Sequence, residues 1–482
     1  MDLRLAAASR KIGRPDYVLL CTYGCSDAVD INKTTACVSL SKMGCIKVTI
    51  SKQDLPSISY FHVTCPDLTE NPFTQSPEIL WSSENFILFR VHLVGPGPPE
   101  FFLYMVEGPE FKRPMLSLLP DFGSYCVREM LDPYLVGVVP DDDGKSHFVT
   151  AFKRKESADC ELHIYRLEGS TGTWSKEHIF PDFPSWARSG VFPDKVVALG
   201  QEVGYVDLLK GILFCNVVKN PVKAHFIPLP NLLPNNQHYF YEELPGQAIR
   251  DVTCTDSYKI MCVELEDLFG FTTRIPDPDV LHDFEVDPSM KVVKHMRVGW
   301  RLVTWYREIF WDHWQKVCKI HVDELGEVSL PPHGRTEPLP PKNLKPSSRA
   351  KKLPLSDLQT ACPILCGDYV CLLSKWDYRD DEAWIVTVDM WKKAVRGLVR
   401  VKDGISMRLN PAYISFVMKN YRKGESGNIS ATCLSCDTAE ACYSPRPFWG
   451  YVYLSISCGL SKFNFGIHVF FCVAHVIIQS VQ

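Results

Sequence analysis

The feature that most constrains this chain is the recurrence of short apolar runs, four to nine residues long, each stopped by Gly, Pro, Asn or Asp. Residues 17–20, 45–50, 86–93, 101–106 and 148–152 are early examples. The series continues through 161–167, 203–208, 210–218, 224–229, 259–265, 299–306, 316–322, 368–373 and 383–389. Val, Ile, Phe, Tyr and Thr dominate the runs, and many alternate apolar with polar. Such residues fit a pleated, half-buried surface, and turn-formers between them end each ladder. No segment keeps apolar residues at three-and-four spacing for four turns, so helices are reduced to short pieces, one of them expected over 355–360.

The predicted fold is therefore all-β with few short helices. One pattern recurs loosely: a strand, a short turn, then a Trp or a polar strand. It occurs at 161–176, at 317–328 and at 383–392. Kelch-like and related propeller blades close in this way, so a β-propeller-like domain is expected. A pair of β-sandwiches is the alternative, because its strands carry the same signals. A chain of 482 residues suggests about three domains at ordinary size. A propeller overrides that expectation, since its repeats share one unit. The expected division is a disordered N-terminus over 1–14, one domain over 15–421 and an atypical tail over 422–482.

Composition narrows the function. The net charge is −4, so no broad basic field is available and nucleic acid is not an expected partner. The 19 cysteines are scattered singly, many inside apolar runs. Their odd number and the lack of a secretory signal point to a reducing compartment, cytoplasmic or nuclear. Arg4, Arg10, Lys11 and Arg14 make the first residues weakly transit-like. Residues 330–354 hold seven prolines with Lys342, Lys345, Arg349, Lys351 and Lys352. Proline at this density blocks a central strand, so an exposed loop is expected, with nuclear localisation as the second reading of its charge. The apolar run over 467–478 is shorter than the roughly twenty residues of a membrane-spanning helix. No membrane association is expected.

The search for chemistry returns little. Asp141-Asp142-Asp143-Gly144 fails as a calcium loop because Phe152 stands where the twelfth-position Glu belongs, and it reads as a hairpin turn. Cys433, Cys436 and Cys442 lack a fourth zinc ligand nearby, His468 and His475 being distant in sequence. Cys362, Cys366 and Cys371 read as core. No Gly-x-Ser-x-Gly elbow, phosphate-cradling loop or His-Glu-x-x-His motif occurs. His163, His225 and His321 occupy strand positions. The sequons at Asn32 and Asn428 read as chance matches in a cytosolic chain. No catalytic residue, cofactor or metal site is expected. Trp300, Trp305, Trp311 and Trp314 form a conspicuous cluster, which packs between blades or lines a partner surface.

Residues 203–265 carry the most distinctive stretch. It contains Gly204-Tyr205-Val206-Asp207-Leu208, then Gly211, Leu213 and Cys215, then Pro228 and Pro230, and then Arg250-Asp251. By turn chemistry, Asp207 accepts backbone N–H groups and tightens a hairpin, residues 212–215 return as a buried strand, and the prolines end an edge strand. The stretch resembles a plant family expanded in grasses, the domain of unknown function 1618. That family's core is Gly-Trp-Val-Asp-Leu-x-x-Gly-Ile-Leu-x-Cys-Asp, an Ile-Pro-Leu-Pro end and a later Arg-Asp-Val. Tyr205 stands here for the usual Trp, and Asn216 for the usual Asp. The resemblance extends over about 14–421 and implies a domain like those associated with F-box proteins. It implies no activity. No leucine-rich F-box pattern precedes it, so a ubiquitin-ligase adaptor role is not expected. What remains is a non-catalytic, monomeric scaffold for a protein partner. The competing reading is a small-ligand or enzymatic propeller with a central pocket.

Overall fold

The computed structural model describes residues 16–418, apart from several internal stretches of which 275–291, 330–351 and 403–412 are the longest. The chain divides into two compact units at Asn428, and the first contains every described residue. That unit is a six-bladed β-propeller.

The chain begins with β1 (Asp16–Cys21), β2 (Ala36–Leu40), β3 (Gly44–Ser51) and β4 (Ile58–Thr64). Five four-stranded meanders follow. The first blade is β5 (Glu78–Ser83), β6 (Phe86–Val91), β7 (Glu100–Met105) and β8 (Met115–Leu118). The second is β9 (Val136–Pro140), β10 (His147–Arg154), β11 (Cys160–Glu168) and β12 (Thr171–Ile179). The third is β13 (Lys195–Leu199), β14 (Glu202–Asp207), β15 (Gly211–Asn216) and β16 (Lys223–Pro228). The fourth is β17 (Arg250–Thr255), β18 (Lys259–Arg274), β19 (Val292–Glu308) and β20 (Gln315–His321). A small ladder of β21 (Val328–Ser329) and β22 (Lys352–Leu353) precedes the fifth blade. That blade is β23 (Gln359–Cys366), β24 (Tyr369–Lys375), β25 (Glu382–Asp389) and β26 (Ala394–Lys402). Last comes β27 (Tyr413–Met418), which completes the sixth sheet in the order β2-β3-β4-β1-β27.

The ring closes there. β27 pairs antiparallel with β1 along its length, from Asp16↔Met418 to Cys21↔Tyr413. β1 pairs in parallel with β4 at Leu19↔Ile58 and Leu20↔Ser59. The innermost strands β5, β9, β13, β17, β23 and β27 each lie beside the next around the axis. Apolar cores fill the space between neighbouring blades rather than one central volume. A middle strand is therefore covered on both faces, and all six residues of β15 are buried. This accounts for the continuous apolar runs, which a sandwich with one wet face would interrupt.

Helices are few: α1 (Phe122–Glu129) and α2 (Gln237–Tyr241) are the two α-helices among the described residues. The helix expected over 355–360 is instead a turn leading into β23, because Leu355 and Leu358 are drawn into the core between the fourth and fifth blades. The repeated strand-turn-Trp pattern is also not one structural unit. Its first and third instances begin on β11 and β25, the third strands of their blades, whereas the second begins on β20, a fourth strand. The repeat is the blade, and local likeness of strands does not report position within it.

Candidate functional site

The distinctive stretch folds as the β14–β15 hairpin plus the edge strand β16. Asp207 Oδ1 accepts the N–H groups of Leu209 and Lys210, both at 3.1 Å, and Oδ2 accepts that of Phe192 at 2.9 Å. Asp194 Oδ2 accepts Leu208 N–H at 2.8 Å. Gly211 has no room for a side chain, since a Cβ there would lie 2.3 Å from the Phe226 ring. Gly204, Val206, Leu213 and Cys215 are buried among the strands, and Tyr205 reaches the second blade, its hydroxyl donating to Thr150 Oγ1 at 2.8 Å.

Arg250 ties this hairpin to the next blade. Its Nε donates to Glu264 at 2.9 Å and its Nη2 at 2.5 Å. Nη1 donates to the Leu208 carbonyl at 3.2 Å, and Nη2 to that of Pro230 at 2.8 Å. Glu264 Oε1 in turn accepts from Leu233 N and Asn236 Nδ2, each at 2.8 Å. Asp251 points the other way along the strand pleat. It takes Lys195 Nζ from the third blade at 2.6 Å and Leu365 N from the fifth at 2.8 Å. The adjacent pair Arg250-Asp251 thus clamps three consecutive blades, Arg250 with four hydrogen bonds and Asp251 with two. Glu264 was not expected from sequence. Its signal was the run Cys262-Val263-Glu264-Leu265-Glu266, where carboxylates interrupt a buried strand.

The tryptophans separate. Trp300 is 1% exposed and Trp305 is 7% exposed, each in a different inter-blade core. Trp300 Nε1 donates to the Leu355 carbonyl at 3.1 Å. Both are removed from any partner surface, because strand alternation aims them into the packing between blades. Trp311 and Trp314 lie on the β19–β20 loop and are half-buried. Trp314 Nε1 donates to Pro228 O at 2.8 Å, and Trp311 stacks on His313 with ring centroids 5.5 Å apart. The same end of the blade carries Tyr258, 56% exposed, and Phe310, 75% exposed, with centroids 5.3 Å apart. Ile309 N donates to Tyr258 O at 2.9 Å, which locks the loop to the β17–β18 turn.

An acid–imidazole–hydroxyl chain lies on the second blade. Glu161 Oε1 lies 2.6 Å from His163 Nε2, and His163 Nδ1 lies 3.1 Å from the Tyr125 hydroxyl. Burial lowers the His163 pKa and raises that of Tyr125. The Tyr125 ring stacks on Trp174 at 3.8 Å, beside a shallow depression lined by Asp121, Ser124, Arg128 and both rings. The chain joins α1 to β11 of the second blade. His225 stacks on Phe214, and His321 caps the turn over Val322–Leu325.

Among the described residues no His, Cys, Asp and Glu group is arranged to hold a metal, and no helix is long and apolar enough to cross a membrane. Cys362, Cys366 and Cys371 are buried and form no disulfide, and the Sγ atoms of Cys366 and Cys371 lie 3.9 Å apart. The Asn32 side chain is engaged in the fold, its Oδ1 accepting from Thr34 N at 2.7 Å. The turn over Asp142 to Gly144, the Pro/Lys-rich stretch up to residue 351, the sequon at Asn428, the Cys433, Cys436 and Cys442 group and the two late histidines lie outside the described residues.

No curated protein matches the chain. Among solved structures it is similar to a tryptophan-to-alanine mutant of Synechocystis apocarotenoid oxygenase, at 10% identity and a TM-score of 0.26, covering 76% of this chain and 86% of that one. The cobalt-substituted Synechocystis enzyme gives 10%, 0.27, 82% and 91%. A post-proline cleaving enzyme from Rickettsia typhi gives 11% and 0.27, with 68% of this chain against 47% of that one. Superposition this loose gives no residue correspondence, so no ligand or reaction is taken from these proteins. The family comparison is more specific, and it falls on the clamp: residues 205–371 match the family described as "Protein of unknown function (DUF1618)".

Proposed function

We propose that the chain is a non-catalytic scaffold that recognises a protein partner through the aromatic loop of the fourth blade. The observation that carries this reading is the Tyr258–Phe310 pair, two large rings left in solvent at the end of a rigid sheet. Exposed aromatics on an ordered support give contact area at little entropic cost, which is the character of interface anchors. The polar groups of the family stretch support the same reading, since Asp207, Arg250 and Asp251 are consumed by bonds within the fold. The net charge of −4 favours a protein over nucleic acid. The fourteen described cysteines form no disulfide, which fits a reducing compartment, cytoplasmic or nuclear.

Proximity labelling tests the reading. A Tyr258→Ser/Phe310→Ser variant, shown by circular dichroism to keep its fold, should lose a defined set of labelled neighbours that the unaltered chain retains. An identical set for both chains would sink the proposal.

A further inference from the structure

Arg307 makes no side-chain hydrogen bond among the described residues, and its Nε is buried. It sits on β19 opposite Ile260 and is 8% exposed. Alternation puts it on the same side as Val303 and Trp305, facing the core between the third and fourth blades. Its Nε finds no hydrogen-bond partner, and no carboxylate among the described residues lies within ion-pair distance. The anionic group that acts on it is Asp312, whose own carboxylate is held by His313 at 2.8 Å. The Trp314 ring lies 6.0 Å from the guanidinium carbon. The neighbouring arginines of the same blade differ: Arg250, Arg297 and Arg301 each reach a carboxylate. A largely buried cation without a direct ion pair opposes folding, and such departures from good packing concentrate where a ligand completes the site.

Three residues further along the chain stands Phe310. Resting on the reading of this loop as a partner surface, we infer that Arg307 anchors a carboxylate side chain of the protein partner, which enters beside Trp314 next to the Tyr258–Phe310 pair. A guanidinium offers two parallel N–H groups along one edge, and a carboxylate accepts both. Phosphorylated peptides are taken by clusters of arginines, whereas one guanidinium in an aromatic collar matches a single planar monoanion. Binding then supplies the missing counter-ion and excludes water from the pair.

The test selects random dodecapeptides displayed on phage against the full chain. Recovered peptides are then measured by titration against the unaltered chain, Arg307→Met and Tyr258→Ser/Phe310→Ser. The expected peptides carry Asp or Glu at one position beside an apolar residue. Changing that acid to Gln should weaken binding about 10- to 100-fold, as loss of a charged hydrogen bond does. Arg307→Met should weaken it equally, and the two changes together should cost no more than either alone. The free Arg307→Met protein should melt a few degrees higher, because an enclosed unpaired charge has been removed. Peptides that need Tyr258 and Phe310 but bind Arg307→Met unchanged, or that bind only when phosphorylated, overturn the inference and leave the surface intact. A lowered melting temperature for Arg307→Met reveals an internal role and also overturns it. Recovery of no peptide dependent on Tyr258 and Phe310 overturns inference and surface together.

Discussion

Two arginines on neighbouring parts of the fourth blade are buried to a similar degree and treated in opposite ways. Arg250, at the start of β17, is fully enclosed and spreads its donors over Glu264 and two carbonyls. Arg307, near the end of β19, is almost as enclosed and has no counter-ion among the described residues. The first is a completed network and the second an open one. Burial alone therefore does not say what a charge is for. A saturated cation reports on how the blades are held, and an unsaturated one reports on what the blade end is missing.

The comparison breaks most readily at the clamp. Arg250→Met leaves Glu264 enclosed without its cation, and urea unfolding should show a loss of about 3–5 kcal/mol. A loss below 1 kcal/mol would show that the clamp does not hold the blades. Asp251→Ala should cost less, about 2–3 kcal/mol, because it strands the buried Leu365 N–H and releases the half-exposed Lys195.

The clamp also has a pH signature. Burial, with Asp207 nearby, pushes the Asp194 carboxyl up to about 7. Unfolded, it titrates near 3.9. The folded state therefore holds the proton more tightly between these values, and stability present below about pH 4 is lost as pH rises through 7. Between pH 4.5 and 8 the fall should be on the order of 3 kcal/mol, and Asp194→Asn should flatten it in unfolding curves taken at those two values. A slope unchanged by Asp194→Asn would assign it to another group. The smallest effect has the opposite sign. Arg307→Met should stabilise the free protein by about 1 kcal/mol, measured as a raised urea midpoint with unchanged slope. Equal destabilisation by Arg250→Met and Arg307→Met would erase the contrast between the two sites.

Much of the clamp's local chemistry was legible in the chain. Asp207 stands at a strand end four residues before Gly211, and the structure uses it to accept N–H groups across the turn. The buried return strand and the proline-terminated edge strand followed from the same stretch. The partners of Arg250 did not, because Leu208, Pro230 and Glu264 meet it only once two blades stack. The tryptophans show the same limit. Trp300 and Trp305 lie in one strand with Tyr306, yet their exposure depends on which blade lies against each face. Arg307 carried no signal of its own, since a lone arginine near a strand end is usually a solvated one.

The chain by itself determined that it would form many short strands, where several turns fall, and that helices would be minor. Those properties follow from side-chain shape, backbone preference and periodicity, which act over a few residues. Only the tertiary structure decided that the blades number six, that β27 returns to pair with β1, and that one buried arginine is matched while another is left open. Pairing and burial depend on which distant surfaces come into contact, and no local pattern encodes that distance.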